Sequence, residues 1–211
     1  RIRRTMPKGG TYASLQLGEV HGRITPRLEE LVKIMSSIDK CEATSNLWGV
    51  RWSKLCVNGM RNGVSAATGL GGNERDSHPK IRNVVVKLAG EAVRVGLAMG
   101  LTLDKIAGIE PSIYVRSMDG EPEAQKQLEA AMTSWTSSTA RSNLQRPSMA
   151  QDIQKGRRTE IEFMNGFIGA KGRQVGTPAP THEALTEIVK QVERGTLAPK
   201  PENLFHLLSN R

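Results

Sequence analysis

A lysine and two asparagines recur at four-residue intervals, as Lys54, Asn58 and Asn62. On a single α-helix each such step turns by about 400°, so the three side chains would share one stripe that drifts by about 40° per step. Lysine donates three hydrogen bonds and each amide both donates and accepts, so the stripe suits a carboxylate or a carbonyl oxygen. The spacing alone favours the alternative of a polar stripe that faces solvent.

Two glycines count against that alternative. Gly59 and Gly63 each follow one of the asparagines. A glycine in a helix interior costs about 1 kcal/mol relative to alanine, so we predict that another group approaches the backbone closely there. Trp52, two residues before Lys54, is expected to limit the access of solvent to the lysine. These features together favour a binding site.

A second group of polar residues lies near two predicted helix starts. Pro147 before Ser148 suits the beginning of a helix, and Thr159 with Glu162 has capping-box spacing. Ser148 and Glu160 would therefore lie near helix amino-termini, where free amide donors bind anions. For Glu160 the alternative is a first-turn acid that stabilises the helix dipole, and that alternative is favoured on the local sequence alone.

The chain changes character near Trp48, after which helical periodicity dominates. Before it, residues 1–46 predict strand, strand, helix and strand, with Thr25 as N-cap and Pro26 as first helical residue. We place the domain boundary between residues 47 and 48. The later helices are predicted over residues 48–68, 80–99 and 122–138, from residue 159, and between 181 and 195.

The chain is basic, with a net charge of +9 and a pI of about 9.9. A basic surface attracts anions such as nucleic acid or a phosphorylated cofactor. The basic residues are scattered apart from residues 1–4 and 155–158, and no aromatic residues interleave with either cluster for base stacking. We therefore attribute most of the charge to solvated faces and predict no nucleic-acid partner.

The cysteine content and the apolar runs restrict the environment of the protein. Cys41 and Cys56 lack the spacing of metal ligands, so we predict no metal site and a reduced, cytoplasmic protein. No run approaches the roughly 20 apolar residues of a membrane span, so no membrane partner is expected. The opening Arg1-Ile2-Arg3-Arg4 carries neither methionine nor signal-like features, and we interpret it as the middle of a longer, truncated protein.

Several separate motifs resemble the ketopantoate reductase family, in that family's order and over nearly the whole chain. Upstream, Gly18-Glu19 and the helix at 25–38 resemble the end of the family's cofactor domain. The motifs that carry the resemblance are Trp52-Ser53-Lys54-Leu55 with Asn58 and Asn62, Pro147-Ser148-Met149-Ala150-Gln151-Asp152, and Arg158-Thr159-Glu160-Ile161-Glu162 with Asn165-Gly166.

The resemblance implies a mainly α fold: a helical bundle of the phosphogluconate dehydrogenase C-terminal type, with a small N-terminal α/β remnant of a truncated Rossmann-like domain. Residues 1–47 would be the C-terminal remnant of the dinucleotide-binding domain. Residues 48–211 would form the α-helical substrate, catalytic and dimerisation domain. A homodimer is the expected assembly.

The implied activity is the reduction of 2-dehydropantoate, or of a related 2-oxo acid, with hydride from NADPH, a step of pantothenate biosynthesis. By the resemblance Lys54 gives the proton to the ketone oxygen, and Glu160 contacts the substrate or orders Lys54. Asn58, Asn62 and Ser148 would bind the substrate. The cofactor carries the hydride, and the protein supplies orientation and electrostatics.

The sequence departs from the family pattern in two places. The phosphate-binding Gly-x-Gly-x-x-Gly is absent, and the glycines at 69–72 lie between helices, so no cofactor-binding residue is assigned and the chain alone is expected to be inactive. Residues 108–127 resemble an insertion that could reshape the pocket. The alternatives are an opine- or hydroxyacid-type dehydrogenase and a non-catalytic basic helical binding module, for which no recognition motif is present.

Overall fold

The computed structural model of the chain describes residues 15–137 and 146–208, apart from the side chains of 135–137. It is mainly α-helical with one two-stranded parallel sheet, which confirms the predicted fold class. Two compact units meet in sequence between Arg51 and Trp52, and each is described by itself. The assignment of these units to a cofactor-domain remnant and a substrate domain, with its boundary at 47/48, remains a prediction.

The first unit is a β-α-β arrangement of β1 (Leu15–Leu17), α1 (Pro26–Met35) and β2 (Cys41–Ala43). The strands run parallel, with Leu15 opposite Cys41. The predicted start of α1 is confirmed, because Thr25 Oγ1 accepts from the backbone N–H of Leu28 at 3.2 Å and Pro26 is the first helical residue. Of the strands predicted before α1, residues 10–14 lie outside the described residues.

The apolar face of α1 is only partly covered. Leu28 is 3% exposed, whereas Leu31 of α1 and Ile38, just beyond its end, are 46% and 58% exposed although they continue the apolar helical spacing. Two strands of three residues provide too little area to cover a ten-residue helix.

The second unit is built around a 20-residue helix, α5 (Pro79–Ala98). Its predicted end is confirmed, because Gly100 follows it with φ of 76°, the left-handed conformation that suits a C′ glycine. None of the helices in the described residues combines the length and the apolar character that a bilayer crossing demands. Among the described residues after β2, the helical segments are α2 (Leu47–Gly59), α3 (Asn62–Thr68), α4 (Gly72–Ser77), α5 (Pro79–Ala98), α6 (Pro111–Met118), α7 (Pro122–Ser137), α8 (Ser148–Gln154), a π-helical turn (Glu162–Gly166), α9 (Phe167–Gln174), α10 (Pro180–Glu193) and a 3-10 helix (Pro201–Leu208).

The single helix predicted over 48–68 is two helices. α2 ends at Gly59 and α3 begins at Asn62. At the junction the N–H of Arg61 donates to the carbonyl of Asn58, three residues back, at 3.1 Å. Asn62 therefore does not share one continuous helix with Lys54 and Asn58, because the regular four-residue pattern is interrupted between them.

The predicted capping box at Thr159 is half right. Thr159 Oγ1 accepts from the N–H of Ile161 at 3.2 Å. Its own N–H donates to Glu193 Oε1 of α10 at 2.6 Å, and Glu162 pairs instead with Arg158 at 2.6 Å. A carboxylate distant in sequence thus takes the place that the motif gives to Glu162.

The segment at 108–127 is part of the packed core. α6 packs on α5 and on α7, and Tyr114 of α6 is 1% exposed. Its hydroxyl donates to the carbonyl of Ile106 at 2.9 Å. Whether the segment is an insertion relative to other family members remains a prediction.

A buried carboxylate from α5 caps the start of α10. Glu91, 5% exposed, accepts from the N–H of Thr181 at 3.1 and 3.0 Å, from its hydroxyl, and from the N–H of His182 at 3.3 Å. The N-cap residue Ala179 has no side-chain oxygen to do so. Burial raises the pKa of Glu91, and the hydrogen bonds from Thr181 and His182 oppose that rise.

The substitution Glu91→Ala should lower the free energy of unfolding by about 3 kcal/mol, because it leaves buried donors of Thr181 and His182 without an acceptor. Denaturant unfolding at neutral pH measures the loss. Glu187→Ala, at an exposed position of α10, is the matched control and should change stability by less than about 0.5 kcal/mol. A loss below about 1 kcal/mol for Glu91→Ala would show that the cap is not important.

Candidate active site

Lys54 and Asn58 lie one turn apart on α2, the lysine exposed and the asparagine partly buried. Trp52 anchors the opposite side of the helix, since a two-residue step turns about 200°. Its indole is 5% exposed and donates to the carbonyl of Ala92 at 2.9 Å. A Cβ at Gly96 would lie 2.5 Å from that indole nitrogen. The expectation that Trp52 shields Lys54 is wrong, because the indole packs into the core and away from the lysine.

The close approach predicted at Gly59 and Gly63 is confirmed. A Cβ at Gly59 would lie 2.9 Å from Ile168 Cδ1 and 3.3 Å from His182 Cε1. A Cβ at Gly63 would lie 2.9 Å from Ile161 Cδ1. The approaching groups belong to the chain itself, so the glycines admit the segment after Glu160 and helix α10 against the α2–α3 junction.

Asn62 begins α3 and is partly buried. Its Nδ2 lies 3.9 Å from the sulfur of Met164 in the π-helical turn, a weak hydrogen bond. Glu160 is exposed and directly precedes Ile161, the residue that packs at Gly63. The backbone that follows Glu160 therefore runs past the beginning of α3.

Ser148 is the exposed first residue of α8, as predicted from Pro147. α8 packs against α3, the helix that carries Asn62. The side chain of Gln151 donates to the carbonyl of Arg146 at 2.8 Å, and the Arg146 guanidinium donates to the carbonyl of Gly69. These contacts attach the start of α8 to the end of α3.

The predicted site residues thus lie on α2, α3, α8 and the segment before the π-helical turn. Each of the five side chains has accessible surface, which a ligand contact requires. α3 is the common neighbour of α8 and of the turn. The predicted residues with accessible side chains are Lys54, Asn58, Asn62, Ser148 and Glu160.

A buried polar cluster lies behind the α2–α3 junction. Asn165, 0% exposed, donates from Nδ2 to the carbonyl of Gly59 at 2.8 Å, and the same nitrogen lies 2.9 Å from His182 Nδ1. His182 Nε2 lies 2.8 Å from the carbonyl of Leu88. A carbonyl only accepts, so Nε2 carries the proton and Nδ1 accepts from Asn165. Our sequence analysis missed His182; the glycine pair was the signal that could have led to it.

A Rossmann-type unit binds cofactor phosphates at a glycine-rich first strand-to-helix turn, and the β1–α1 turn lacks that glycine pattern. Here Glu19 accepts from Thr25 Oγ1 at 2.8 Å and pairs with Arg27 at 2.6 Å. The hydrogen bonds from the Arg27 guanidinium lower the pKa of Glu19, so an internal ion pair occupies the turn. A Cβ at Gly18 would lie 2.8 Å from the carbonyl of Thr44, so the chain itself fills that space. The turn does not fit a dinucleotide pyrophosphate.

Residues 46–193 match the family model described as "Ketopantoate reductase PanE/ApbA C terminal". A curated relative, the 2-dehydropantoate 2-reductase of Archaeoglobus fulgidus, is 26% identical over 189 residues, which are 89% of this chain and 54% of the relative. The chain therefore spans about half the length of that relative.

Solved structures share the fold. The 2-dehydropantoate 2-reductase of Geobacter metallireducens has a TM-score of 0.63 and 25% identity, with 83% of this chain and 52% of that one covered. A complex of D-mandelate dehydrogenase with NADH has a TM-score of 0.65 and 24% identity, with 85% and 55% covered. The second likeness shows the fold alone.

The stability of the protein should fall as the pH is lowered from about 6.5 to about 4. Burial lowers the pKa of His182 to about 4 from its ordinary value of 6.5. Between these values the unfolded chain binds a proton that the folded chain does not, which costs on the order of 3 kcal/mol. Glu91, with its raised pKa, opposes this slope in the variants as well as in the wild type.

Denaturant unfolding of the wild type and of His182→Gln at pH 7 and pH 4.5 isolates the histidine. The variant should show the smaller acid-induced loss, because glutamine takes up no proton. His206→Gln, at an exposed histidine, should retain the wild-type pH dependence. An unchanged slope in His182→Gln would contradict the assignment of a neutral buried imidazole.

Proposed function

The chain belongs to the ketopantoate reductase family, and from that premise we propose that it forms the substrate half of an NADP-dependent reductase of 2-dehydropantoate or a related 2-oxo acid. One observation carries the proposal: the five side chains to which the resemblance assigns catalytic or substrate-binding roles are all accessible to solvent. Because the chain spans about half of its curated relative, the activity is proposed for the protein together with a cofactor-binding part.

In this proposal Lys54 is the acid. Reduction of a ketone adds hydride to the carbonyl carbon, and the oxygen then requires a proton to become a hydroxyl. The ammonium of Lys54, exposed on α2, supplies that proton and afterwards regains one from solvent. A nicotinamide cofactor supplies the hydride when it is bound.

Asn58, Asn62 and Ser148 bind the substrate in this proposal. A carboxylate and a hydroxyl next to a ketone offer several acceptors and one donor, and amides and a hydroxyl complement both. The break after Gly59 places Asn58 and Asn62 on different helices. A small substrate can then be held between two helix directions instead of along one stripe.

We propose Glu160 as the second catalytic residue, in addition to Lys54. Its carboxylate either accepts from a substrate hydroxyl or orders the Lys54 ammonium. Support comes from the packing of the next residue, Ile161, against Gly63. That packing holds the chain near Glu160 at the beginning of α3.

The cofactor assignment to NADP rests on the family resemblance, and its phosphates are assigned to no described residue. A homodimer and a cytoplasmic location are likewise proposals. A hydroxyacid-type dehydrogenase is the second candidate, and D-mandelate dehydrogenase shares the fold. Faster turnover of an aryl 2-oxo acid than of 2-dehydropantoate would favour that candidate.

The variant Lys54→Ala is made in the active protein, which contains this chain together with a cofactor-binding part. It should lower kcat/KM by about 10²- to 10⁴-fold, because the general acid is lost. Stability should change by less than about 0.5 kcal/mol, because the side chain is exposed. Steady-state kinetics and thermal unfolding measure the two effects. Lys126→Ala, at an exposed lysine of α7, is the control. Wild-type kinetics in Lys54→Ala would remove this lysine from the mechanism.

The 211-residue chain by itself should neither bind NADPH tightly nor reduce a 2-oxo acid. The physical reason is that the sequence contains no Gly-x-Gly-x-x-Gly turn of the kind that binds cofactor phosphates in a Rossmann-type unit, and the Glu19–Arg27 ion pair occupies the β1–α1 turn. A fluorescence titration with NADPH tests the prediction, with the Archaeoglobus fulgidus enzyme as the matched positive control. Submicromolar binding by this chain would refute the assignment of the cofactor phosphates to another part of the protein.

A further inference from the structure

We propose that Asn165 is a positioning residue, oriented by His182, which fixes the angle between α2 and α3 and thereby the relative placement of Asn58 and Asn62. The inference rests on the proposed function, since it concerns the same site. Neither residue lies at the accessible surface; both are 0% exposed. They would act through the helices that carry the substrate-binding amides.

The contact of Asn165 lies at the break itself. Gly59 is the last residue of α2, and the final carbonyls of a helix lack N–H partners within the helix. Asn165 Nδ2 donates to the carbonyl of Gly59 at 2.8 Å. At the preceding residue, the carbonyl of Asn58 accepts a hydrogen bond from the N–H of Arg61. A side chain that enters the hydrogen-bond ladder at this place is a known cause of a helix kink.

His182 determines how the Asn165 amide is turned. With its proton on Nε2, its Nδ1 accepts the second N–H of Asn165, so both amide protons are used. The reversed amide would place an oxygen against two acceptors. In the observed orientation Asn165 Oδ1 has no hydrogen-bond partner among the described residues. It lies 3.3 Å from the position of a Cβ at Gly63.

The unpaired oxygen is a cost of about 1–3 kcal/mol. An apolar side chain at this position would avoid it, so packing alone does not account for an asparagine. Compared with an apolar residue, the asparagine adds a hydrogen bond to the carbonyl of Gly59, and the His182 imidazole fixes the orientation of the amide that donates it. A positioning role explains why the cost is tolerated.

The π-helical turn contacts both sides of the junction. Asn165 bonds to Gly59 at the end of α2, and the preceding residue, Met164, contacts Asn62 at the start of α3. π-helical turns are frequent at functional sites. A shift of this turn would move Asn58 and Asn62 relative to each other.

Asn203 offers a matched control. It is also buried, at 9% exposed, and its Nδ2 donates to the carbonyls of Ala67 at 3.0 Å and Ala198 at 2.9 Å. Ala67 lies at the other end of α3. If Asn165 were purely structural, its replacement by leucine should have the same effects as the replacement of Asn203 by leucine.

The test compares Asn165→Leu, His182→Gln and Asn203→Leu in the protein that turns over a 2-oxo acid. In Asn165→Leu the KM for the 2-oxo acid should rise about tenfold or more, with the Kd for NADPH unchanged, because misplaced binding groups weaken the substrate complex. His182→Gln, which keeps the asparagine, should raise this KM about threefold. Asn203→Leu should lower Tm and leave KM unchanged.

An unchanged KM in Asn165→Leu and His182→Gln, with only a fall in Tm, would overturn the inference. Should the wild type reduce no 2-oxo acid, the proposed function fails, and spectra of the ¹⁵N-labelled 211-residue chain decide the positioning claim. The side-chain amide resonances of Asn58 and Asn62 should then shift in His182→Gln and Asn165→Leu and stay in place in Asn203→Leu. Resonances that do not move would refute the claim.

Discussion

The structure of the second unit depends on one constraint: two glycines at the α2–α3 junction pack closely against neighbouring segments. Gly59 and Gly63 leave no room for a Cβ, because Ile168 and Ile161 occupy that space. Glycine weakens the helix locally, and the tertiary contact compensates for that loss. The interruption between α2 and α3 follows, and with it the separation of Asn58 from Asn62.

A chain of buried polar contacts joins this junction to the centre of the unit. Glu91 on α5 caps α10, His182 of α10 accepts from Asn165, and Asn165 bonds to Gly59 of α2. The two titratable members are buried with opposite consequences for pKa: that of Glu91 is raised and that of His182 is lowered. Both shifts favour the neutral form, as desolvation requires.

Local signals in the sequence were reliable where the structure is local. Thr25 caps α1, Gly100 ends α5, and the proline before Ser148 starts α8, because caps and turns depend on neighbouring residues. The break after Gly59 escaped prediction because Met60 and Val64 keep helical spacing across it and are both fully buried. Periodicity reports which side faces the core and not whether the backbone ladder is continuous.

The long-range contacts could not be predicted from single-sequence patterns. Glu193 takes the capping position expected for Glu162, and Glu91 caps a helix 90 residues later. His182 has no neighbouring pattern that distinguishes it from a surface histidine. Of the candidate site, the residue types came from the sequence and the resemblance, whereas their distribution over α2, α3 and α8 depends on the fold.

We propose that a small keto acid binds beside Lys54, Asn58 and Asn62. A crystal structure of the protein with 2-dehydropantoate tests that claim most directly. We expect the ketone oxygen within hydrogen-bond distance of Lys54 Nζ and the carboxylate beside Asn58 and Asn62. A ligand bound instead in the cavity of about 590 Å³ that Arg82 and Lys87 line would contradict the account.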